Sequence, residues 1–138
     1  MSAPPAATRS ETILSFAKNM KKLEEMVETL VLEGLGTRGE SIDAHFGLLG
    51  HGFRLSHYGV PPDTESSMSM SPHCDDSMVT AIVQHEVEGL EVHVGDGRWV
   101  AVPAETGTIT FVAGEQLRVR FDFSGDHRTW KASLASGD

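Results

Sequence analysis

"GLEVHVGDGRWVAV", residues 89–102, carries the clearest local pattern in the chain. Leu90, Val92 and Val94 alternate with polar residues, so their side chains would share one face of a β-strand. The dipeptide Asp96-Gly97 that follows favours a tight turn between two strands. This stretch therefore predicts an antiparallel hairpin with one buried face.

Other short segments around this hairpin are rich in β-branched and aromatic residues and are separated by turns that contain glycine. The predicted strands are Phe53–Tyr58, Ser67–Met70, Met78–His85, Leu90–Val94, Trp99–Val102, Thr108–Val112 and Leu117–Phe123. Short strands at this spacing indicate an antiparallel barrel or sandwich. A jelly roll closes with about eight strands. Because this chain supplies fewer, we expect the barrel to be incomplete.

The N-terminal part of the chain has a helical period. Between Glu11 and Glu33 the apolar residues recur every three or four positions, at Ile13, Phe16, Met20, Leu23, Val27, Leu30 and Val31. We expect residues 1–10, which are rich in proline and alanine, to be disordered. The sequence predicts a core over residues 11–123 that includes this helix. A flexible tail is expected at 124–138, where residues become small and polar.

Composition excludes several classes of partner. The chain has 138 residues, 11 basic and 20 acidic side chains, and a net charge of −9, which disfavours binding to nucleic acid and to anionic membranes. No apolar run approaches the roughly eighteen residues of a membrane span. A single cysteine, Cys74, rules out an internal disulfide and is compatible with a reducing compartment. We therefore expect a cytoplasmic protein.

The stretch "SPHCDDS", residues 71–77, places His73 and Asp75 two positions apart. In a strand, such residues point to the same side and can address one ion. An imidazole nitrogen and a carboxylate oxygen suit Fe(II), which non-haem oxygenases bind through two histidines and one carboxylate. Taken alone, the pair is better explained as two polar residues that happen to be neighbours.

Several motifs in order distinguish between these readings. Residues 71–119 resemble the core of the plant Fe(II)/2-oxoglutarate-dependent dioxygenases. In that family a His-x-Asp pair is followed by a Gly-Leu-x-Val hairpin, a Gly-x-Trp-x-x-Val strand and a Gly-Asp-x-Leu turn. The corresponding stretches here are His73 and Asp75, "GLEV" at 89–92, "GRWVAV" at 97–102 and "GEQL" at 114–117, with Glu in place of Asp. The segment "VEGLEV" is most similar to the corresponding segment in the branch of auxin-oxidising and glucosinolate side-chain dioxygenases.

This resemblance implies a fold and an activity. The fold would be a mainly β double-stranded β-helix, or jelly roll, preceded by an α-helix. The activity would be Fe(II)- and 2-oxoglutarate-dependent hydroxylation of a small plant metabolite such as an auxin-like acid. His73 and Asp75 would bind the iron. Tyr58, in "RLSHYGVPP", matches a tyrosine that helps to hold the 2-oxoglutarate cosubstrate.

The C-terminal part departs from the family pattern. The third iron ligand of the family is a histidine before Arg-Val, and His127-Arg128 is its only counterpart here. No Arg-x-Ser motif for the cosubstrate carboxylate follows, and the family's N-terminal domain has no counterpart either, which together suggest a sequence truncated at both ends. The alternative function is therefore an inactive fragment that binds metal weakly or acts through protein contacts. Missing strands would also leave an open sheet edge through which two copies could associate.

Overall fold

The computed structural model describes residues 6–59, 68–94, 96–117 and 130–133. The chain divides into two units, Met1–Leu55 and Ser56–Asp138. The first unit contains α1 (Ala6–Gly34) and α2 (Gly39–Phe46). The second contains six strands within the described ranges: β1 (Met68–His73), β2 (Val79–Ile82), β3 (Leu90–Val94), β4 (Arg98–Ala101), β5 (Thr110–Ala113) and β6 (Trp130–Ser133). Neither of the two helices is long and apolar enough to cross a membrane.

Helix α1 is longer than the sequence pattern predicts. It begins at Ala6, so residues 6–10 are helical rather than disordered as expected. Alanine has the highest helix propensity, which favours extension of the helix toward the N-terminus. At the other end, Gly36 adopts a positive φ of 80° and Thr37 donates its amide hydrogen to the Leu32 carbonyl at 2.9 Å. This left-handed glycine stops the helix near the predicted position.

The buried face of α1 differs from the predicted one near its C-terminal end. Leu30 was assigned to the apolar face but is 64% exposed, whereas Leu32 and Glu28 are buried. The physical reason is α2, which contributes the buried Ile42 and places His45 Nε2 3.7 Å from Glu28 Oε2. A polar partner across the helix pair thus allows a glutamate to occupy a buried position.

A second histidine faces the same acidic stretch of α1. His51 Nε2 lies 3.9 Å from Glu25 Oε1. The neighbouring Glu24 is half-buried, and burial raises the pKa of its carboxyl above the ordinary value, although the nearby His51 opposes this shift. The histidines at 45 and 51, which carry no predicted role, thus contact the glutamates of the helical unit.

The β unit consists of two antiparallel sheets. Four strands pair in the order β1-β6-β3-β4, and β2 pairs with β5 in a separate ladder. The hairpin predicted from residues 89–102 is confirmed, because β3 covers Leu90–Val94 and pairs with β4 across a turn in which Gly97 has a φ of 86°. The expectation of a β fold preceded by a helix is therefore confirmed.

The core of this unit lies between the two sheets. Leu90 from β3 and Val112 from β5 are buried together, and half-buried apolar side chains pack around them. These are Met70, Ile82, Val92 and Val102, which come from or adjoin strands of both sheets. The two sheets thus cover one another's apolar faces, as in a sandwich.

The half-buried side chain of Gln84 makes three hydrogen bonds with backbone groups at one end of this sandwich. Its amide nitrogen donates to the Val102 carbonyl at 2.9 Å, and its amide oxygen accepts hydrogen bonds from the backbone of Gly89 and Leu90 at 3.1 and 3.0 Å. One side chain from the β2–β3 loop is therefore hydrogen-bonded both to the start of β3 and to the residue that follows β4.

Two strand assignments from the sequence require comment. The predicted strand Phe53–Tyr58 is wrong, because these residues belong to no strand in the described part of the chain and their side chains are exposed. Alternation alone cannot supply the neighbouring strand that a ladder needs. The predicted strand Leu117–Phe123 falls mostly outside the described residues, and Leu117, its one described residue, is helical.

The tail contains a strand that the sequence analysis missed. Residues 130–133, which were expected to be flexible, form β6 and pair with both β1 and β3. This strand therefore lies inside the four-stranded sheet, between β1 and β3. The outer strands of the four-stranded sheet are β1 and β4.

Candidate metal centre

The site begins where β1 ends. His73 is the last residue of β1, and the strand is irregular between Met70 and His73, where its register against β6 shifts. Such an irregularity changes the direction of the side chains at a strand end. Asp75 follows in the loop between β1 and β2, and His73 Nε2 lies 3.5 Å from Asp75 Oδ1. The two predicted ligands are therefore close together in the structure.

The imidazole of His73 is held in one tautomer. Its Nδ1 lies 2.8 Å from the Ser71 carbonyl oxygen, and because a carbonyl can only accept, Nδ1 is the donor. In the neutral ring this leaves the lone pair on Nε2, the nitrogen that faces Asp75. Metal-binding histidines commonly donate their second N–H to a backbone carbonyl in this way.

The carboxylate of Asp75 has one unsatisfied oxygen. Its side chain is only 16% exposed, and Oδ2 is buried without a hydrogen-bond partner among the described residues. A buried carboxylate oxygen without a partner is costly, so such a group usually marks a site for an ion or a water. This oxygen is the observation that best fits a bound cation.

The spacing of the two side chains also fits a single ion. Two atoms that bind one divalent first-row metal at about 2.1 Å stand about 3.0 Å apart at a right angle and about 3.4 Å apart at a tetrahedral angle. The observed separation of 3.5 Å between His73 Nε2 and Asp75 Oδ1 is close to these values. The pair could therefore bind one cation with small side-chain adjustments.

The other two predicted site residues are Tyr58 and His127. Tyr58 belongs to no strand and is 38% exposed, and its predicted role stays a prediction. His127 lies outside the described residues. Within the described ranges, no group of three or more histidine, cysteine or acidic side chains could hold a metal ion. The described part of the site thus contains two of the predicted ligands, His73 and Asp75.

The loop that carries Asp75 is held by a second segment, residues 114–117. The amides of Gly114, Glu115 and Gln116 donate to carbonyl oxygens of residues 75–78, and Glu115 reaches the Asp75 carbonyl at 2.7 Å. Sequence reasoning recognised "GEQL" as a family motif but assigned it no function. Its glycine, placed directly after a strand, is the signal that could have indicated a close approach of two backbones.

Comparison with known proteins matches this part of the chain. A family model described as the 2OG-Fe(II) oxygenase superfamily matches residues 50–129. An Arabidopsis thaliana protein named as a probable 2-oxoglutarate-dependent dioxygenase, AOP1, is 30% identical over 112 residues, which cover 78% of this chain and 37% of that protein. Gibberellin 3-beta-dioxygenase 1 of Pisum sativum is 26% identical over 114 residues, which cover 79% of this chain and 30% of that protein.

A third relative matches over similar shares of this chain and of its own length. The 1-aminocyclopropane-1-carboxylate oxidase homolog 10 of Arabidopsis thaliana is 30% identical over 119 residues, 83% of this chain and 31% of that protein. The chain therefore spans about a third of the length of the curated relatives it matches.

Among solved structures, a Shewanella oneidensis protein described as an oxygenase is similar, with a TM-score of 0.50 and 22% identity. The match covers 56% of this chain and 29% of that one. At this level of identity the likeness concerns the fold alone, and it agrees with the observed β unit.

Proposed function

Because the chain belongs to the 2OG-Fe(II) oxygenase superfamily, we propose that it supplies the iron-binding β core of a 2-oxoglutarate-dependent dioxygenase. His73 and Asp75 would be two of the protein ligands of Fe(II). The two sheets would form part of a double-stranded β-helix. The single observation that supports this most directly is the buried, unpartnered Oδ2 of Asp75, a carboxylate whose other oxygen, Oδ1, lies 3.5 Å from His73 Nε2.

The donor set agrees with the ion that this superfamily uses. A neutral imidazole nitrogen and a carboxylate oxygen are ligands that suit Fe(II), and two protein ligands leave most positions around the ion for other groups. His127 would supply a third ligand, as the family resemblance implies, and Tyr58 would help to hold 2-oxoglutarate. When bound, Fe(II) and 2-oxoglutarate would supply the oxidising chemistry for hydroxylation of a small molecule.

The side chains themselves have defined tasks in this proposal. His73 donates its Nδ1 hydrogen to the Ser71 carbonyl and so presents Nε2 in a fixed direction. Asp75 provides the negative charge that offsets part of the charge of a divalent ion. The proposed substrate is a small plant metabolite such as an auxin-like acid, since relatives include plant 2-oxoglutarate-dependent dioxygenases.

The test is an anaerobic titration of the protein with Fe(II), with and without 2-oxoglutarate. We expect weak binding, with a dissociation constant above micromolar unless His127 completes the ligand set, because two protein ligands give a weak site. Asp75→Ala should abolish binding, while the matched control Asp76→Ala, which alters an exposed neighbour, should retain it. Unchanged binding by Asp75→Ala would contradict the assignment.

A second measurement distinguishes a functional dioxygenase core from an inactive fragment that only binds metal. The purified chain is supplied with Fe(II), oxygen and 2-oxoglutarate, and succinate is quantified. Succinate formation that depends on Asp75 supports a functional dioxygenase core. Metal binding that depends on Asp75 without any succinate would support the alternative of an inactive fragment.

A further inference from the structure

The loop between β1 and β2 is fixed by contacts with the backbone of residues 114–116. Gly114 donates its amide hydrogen to Met78 O at 2.9 Å, Glu115 to Asp75 O at 2.7 Å, and Gln116 to Ser77 O at 3.2 Å. Residues 74–78 belong to no strand, so they lack the ladder hydrogen bonds that would otherwise fix their backbone. These three bonds are therefore a main restraint on the described loop.

The backbone of Gly114 lies directly against the backbone of Ser77. A Cβ atom placed there would stand 2.0 Å from Ser77 O and 2.7 Å from Ser77 C, which is far closer than real Cβ contacts. The obstacle is backbone rather than a flexible side chain, so any residue with a Cβ must push the two segments apart. The φ of Gly114 is not in the left-handed region, and the requirement for glycine is therefore one of space.

Both ends of the loop are anchored elsewhere. His73 belongs to β1, and Met78 and Val79 are buried at the start of β2. Asp75 stands between these anchors, and the Glu115 amide holds its carbonyl directly. Since the backbone fixes the direction of the Cα–Cβ bond, this hydrogen bond restrains the position from which the Asp75 carboxylate extends.

We propose that Gly114 and the backbone amide of Glu115 are positioning groups for the metal ligand Asp75. Close backbone approach at Gly114 lets the Glu115 amide reach Asp75 O, and this contact keeps the carboxylate within reach of the ion that His73 addresses. The inference rests on the proposed function, because it assigns a role toward the metal that Asp75 would bind. It predicts that metal affinity depends on residues that contribute no ligand.

Three variants and two controls test this role. Gly114→Ala forces the segments apart, and Glu115→Pro removes the amide hydrogen that bonds Asp75 O. Glu115→Ala retains that amide and is the matched control for the proline variant. Gly107→Ala is the control for general destabilisation, because Gly107 has a φ of 80° with open space around it and lies in the β unit. Asp75→Ala serves as the reference for lost binding.

Metal affinity and thermal stability are measured for each protein, with Co(II) as the probe and its visible absorption as the signal. Gly114→Ala and Glu115→Pro should raise the Co(II) dissociation constant by about 10- to 100-fold, the range seen when groups that orient metal ligands are removed. Gly107→Ala should lower the melting temperature but leave the dissociation constant within about twofold, and Glu115→Ala should also bind normally. Wild-type affinity in Gly114→Ala, or an equal loss in Gly107→Ala, would overturn the proposal.

Amide hydrogen exchange in the metal-free protein tests the contact itself. In Gly114→Ala the amides of residues 115 and 116 should exchange at least tenfold faster than in the unaltered chain, because their acceptors have moved away. Unchanged exchange at both amides overturns the positioning role whatever the metal data show. If exchange accelerates but the unaltered chain binds no Co(II), the proposed function fails while the backbone contact stands, so the two failures are distinguishable.

Discussion

Replacement of Asp75 by alanine should make the metal-free protein more stable. The reason is the buried Oδ2 of Asp75, which finds no hydrogen-bond partner among the described residues. An unsatisfied buried acceptor costs about 1 to 3 kcal/mol of folding free energy, and alanine removes it. The substitution therefore removes a potential metal ligand and should increase the stability of the metal-free protein.

An opposing term reduces the net gain. Asp75 Oδ1 lies 3.5 Å from His73 Nε2, and the His73 side chain is 36% exposed. An ion pair that is partly exposed contributes about 0 to 1 kcal/mol, and only while the histidine is protonated. The unsatisfied oxygen should therefore dominate near pH 7, with a net increase of about 1 kcal/mol in the free energy of unfolding.

Urea denaturation in the presence of a chelator measures this difference. With a dependence of about 1 to 3 kcal/mol per molar urea, a gain of about 1 kcal/mol raises the midpoint by about 0.3 to 1 M. Asp76→Ala is the control, and its exposed position predicts a change within about 0.5 kcal/mol. A midpoint of Asp75→Ala that is equal to or below that of the parent would refute the reasoning.

Addition of metal should reverse the order of stability. A cation at a hundred times its dissociation constant stabilises the folded parent protein by about 2.7 kcal/mol and leaves the variant unaffected. The parent is then the more stable protein. A variant that remains more stable than the parent at saturating Co(II) would show that Asp75 does not bind the ion.

Three further predictions concern groups outside the metal centre. Burial raises the pKa of Glu24, so the folded state binds a proton at this carboxyl more readily than the unfolded state does. The ionised Glu24 therefore destabilises the folded protein above that pKa. Glu24→Gln should raise the urea midpoint at pH 7 and have no effect on it at a pH below the ordinary pKa of about 4.5. The Arg98 side chain holds the pKa of Asp96 below its ordinary value through a hydrogen bond, and NMR titration of Arg98→Ala should show that pKa rise. Gln84→Ala leaves the Val102 carbonyl and two backbone amides without their partner. The free energy of unfolding measured by urea denaturation should therefore fall by about 1 to 3 kcal/mol. A loss below about 0.5 kcal/mol, roughly that of an ordinary surface substitution, would contradict this role.

The sequence predicted best where the pattern was local. The β3–β4 hairpin is encoded by the alternation of Leu90, Val92 and Val94 and by a turn whose Gly97 takes a positive φ, all within one short stretch. The closeness of His73 and Asp75 is equally local, because two positions along the chain determine it. Neither required knowledge of distant segments.

Elements that depend on distant partners were not predicted. Strand β6 follows no clear alternation, and its pairing with β1 and β3 determines that residues 130–133 are a strand. The segment 53–58 shows the converse, since its pattern resembles a strand but the described structure assigns it to none. Likewise, the burial of Glu28 depends on His45 from the next helix and could not be read from α1 alone.

The position of β6 constrains the order in which the chain can fold during synthesis. Strands β1 and β3 do not pair with one another, because β6 lies between them and bonds to both. Until residues 130–133 have left the ribosome, these strands present unpaired backbone to each other and to other chains. The α1–α2 pair involves only contacts between neighbours in sequence and can form as soon as Phe46 emerges. The nascent chain therefore carries a folded helical segment ahead of an open sheet, and chaperones that shield strand edges would act during that interval.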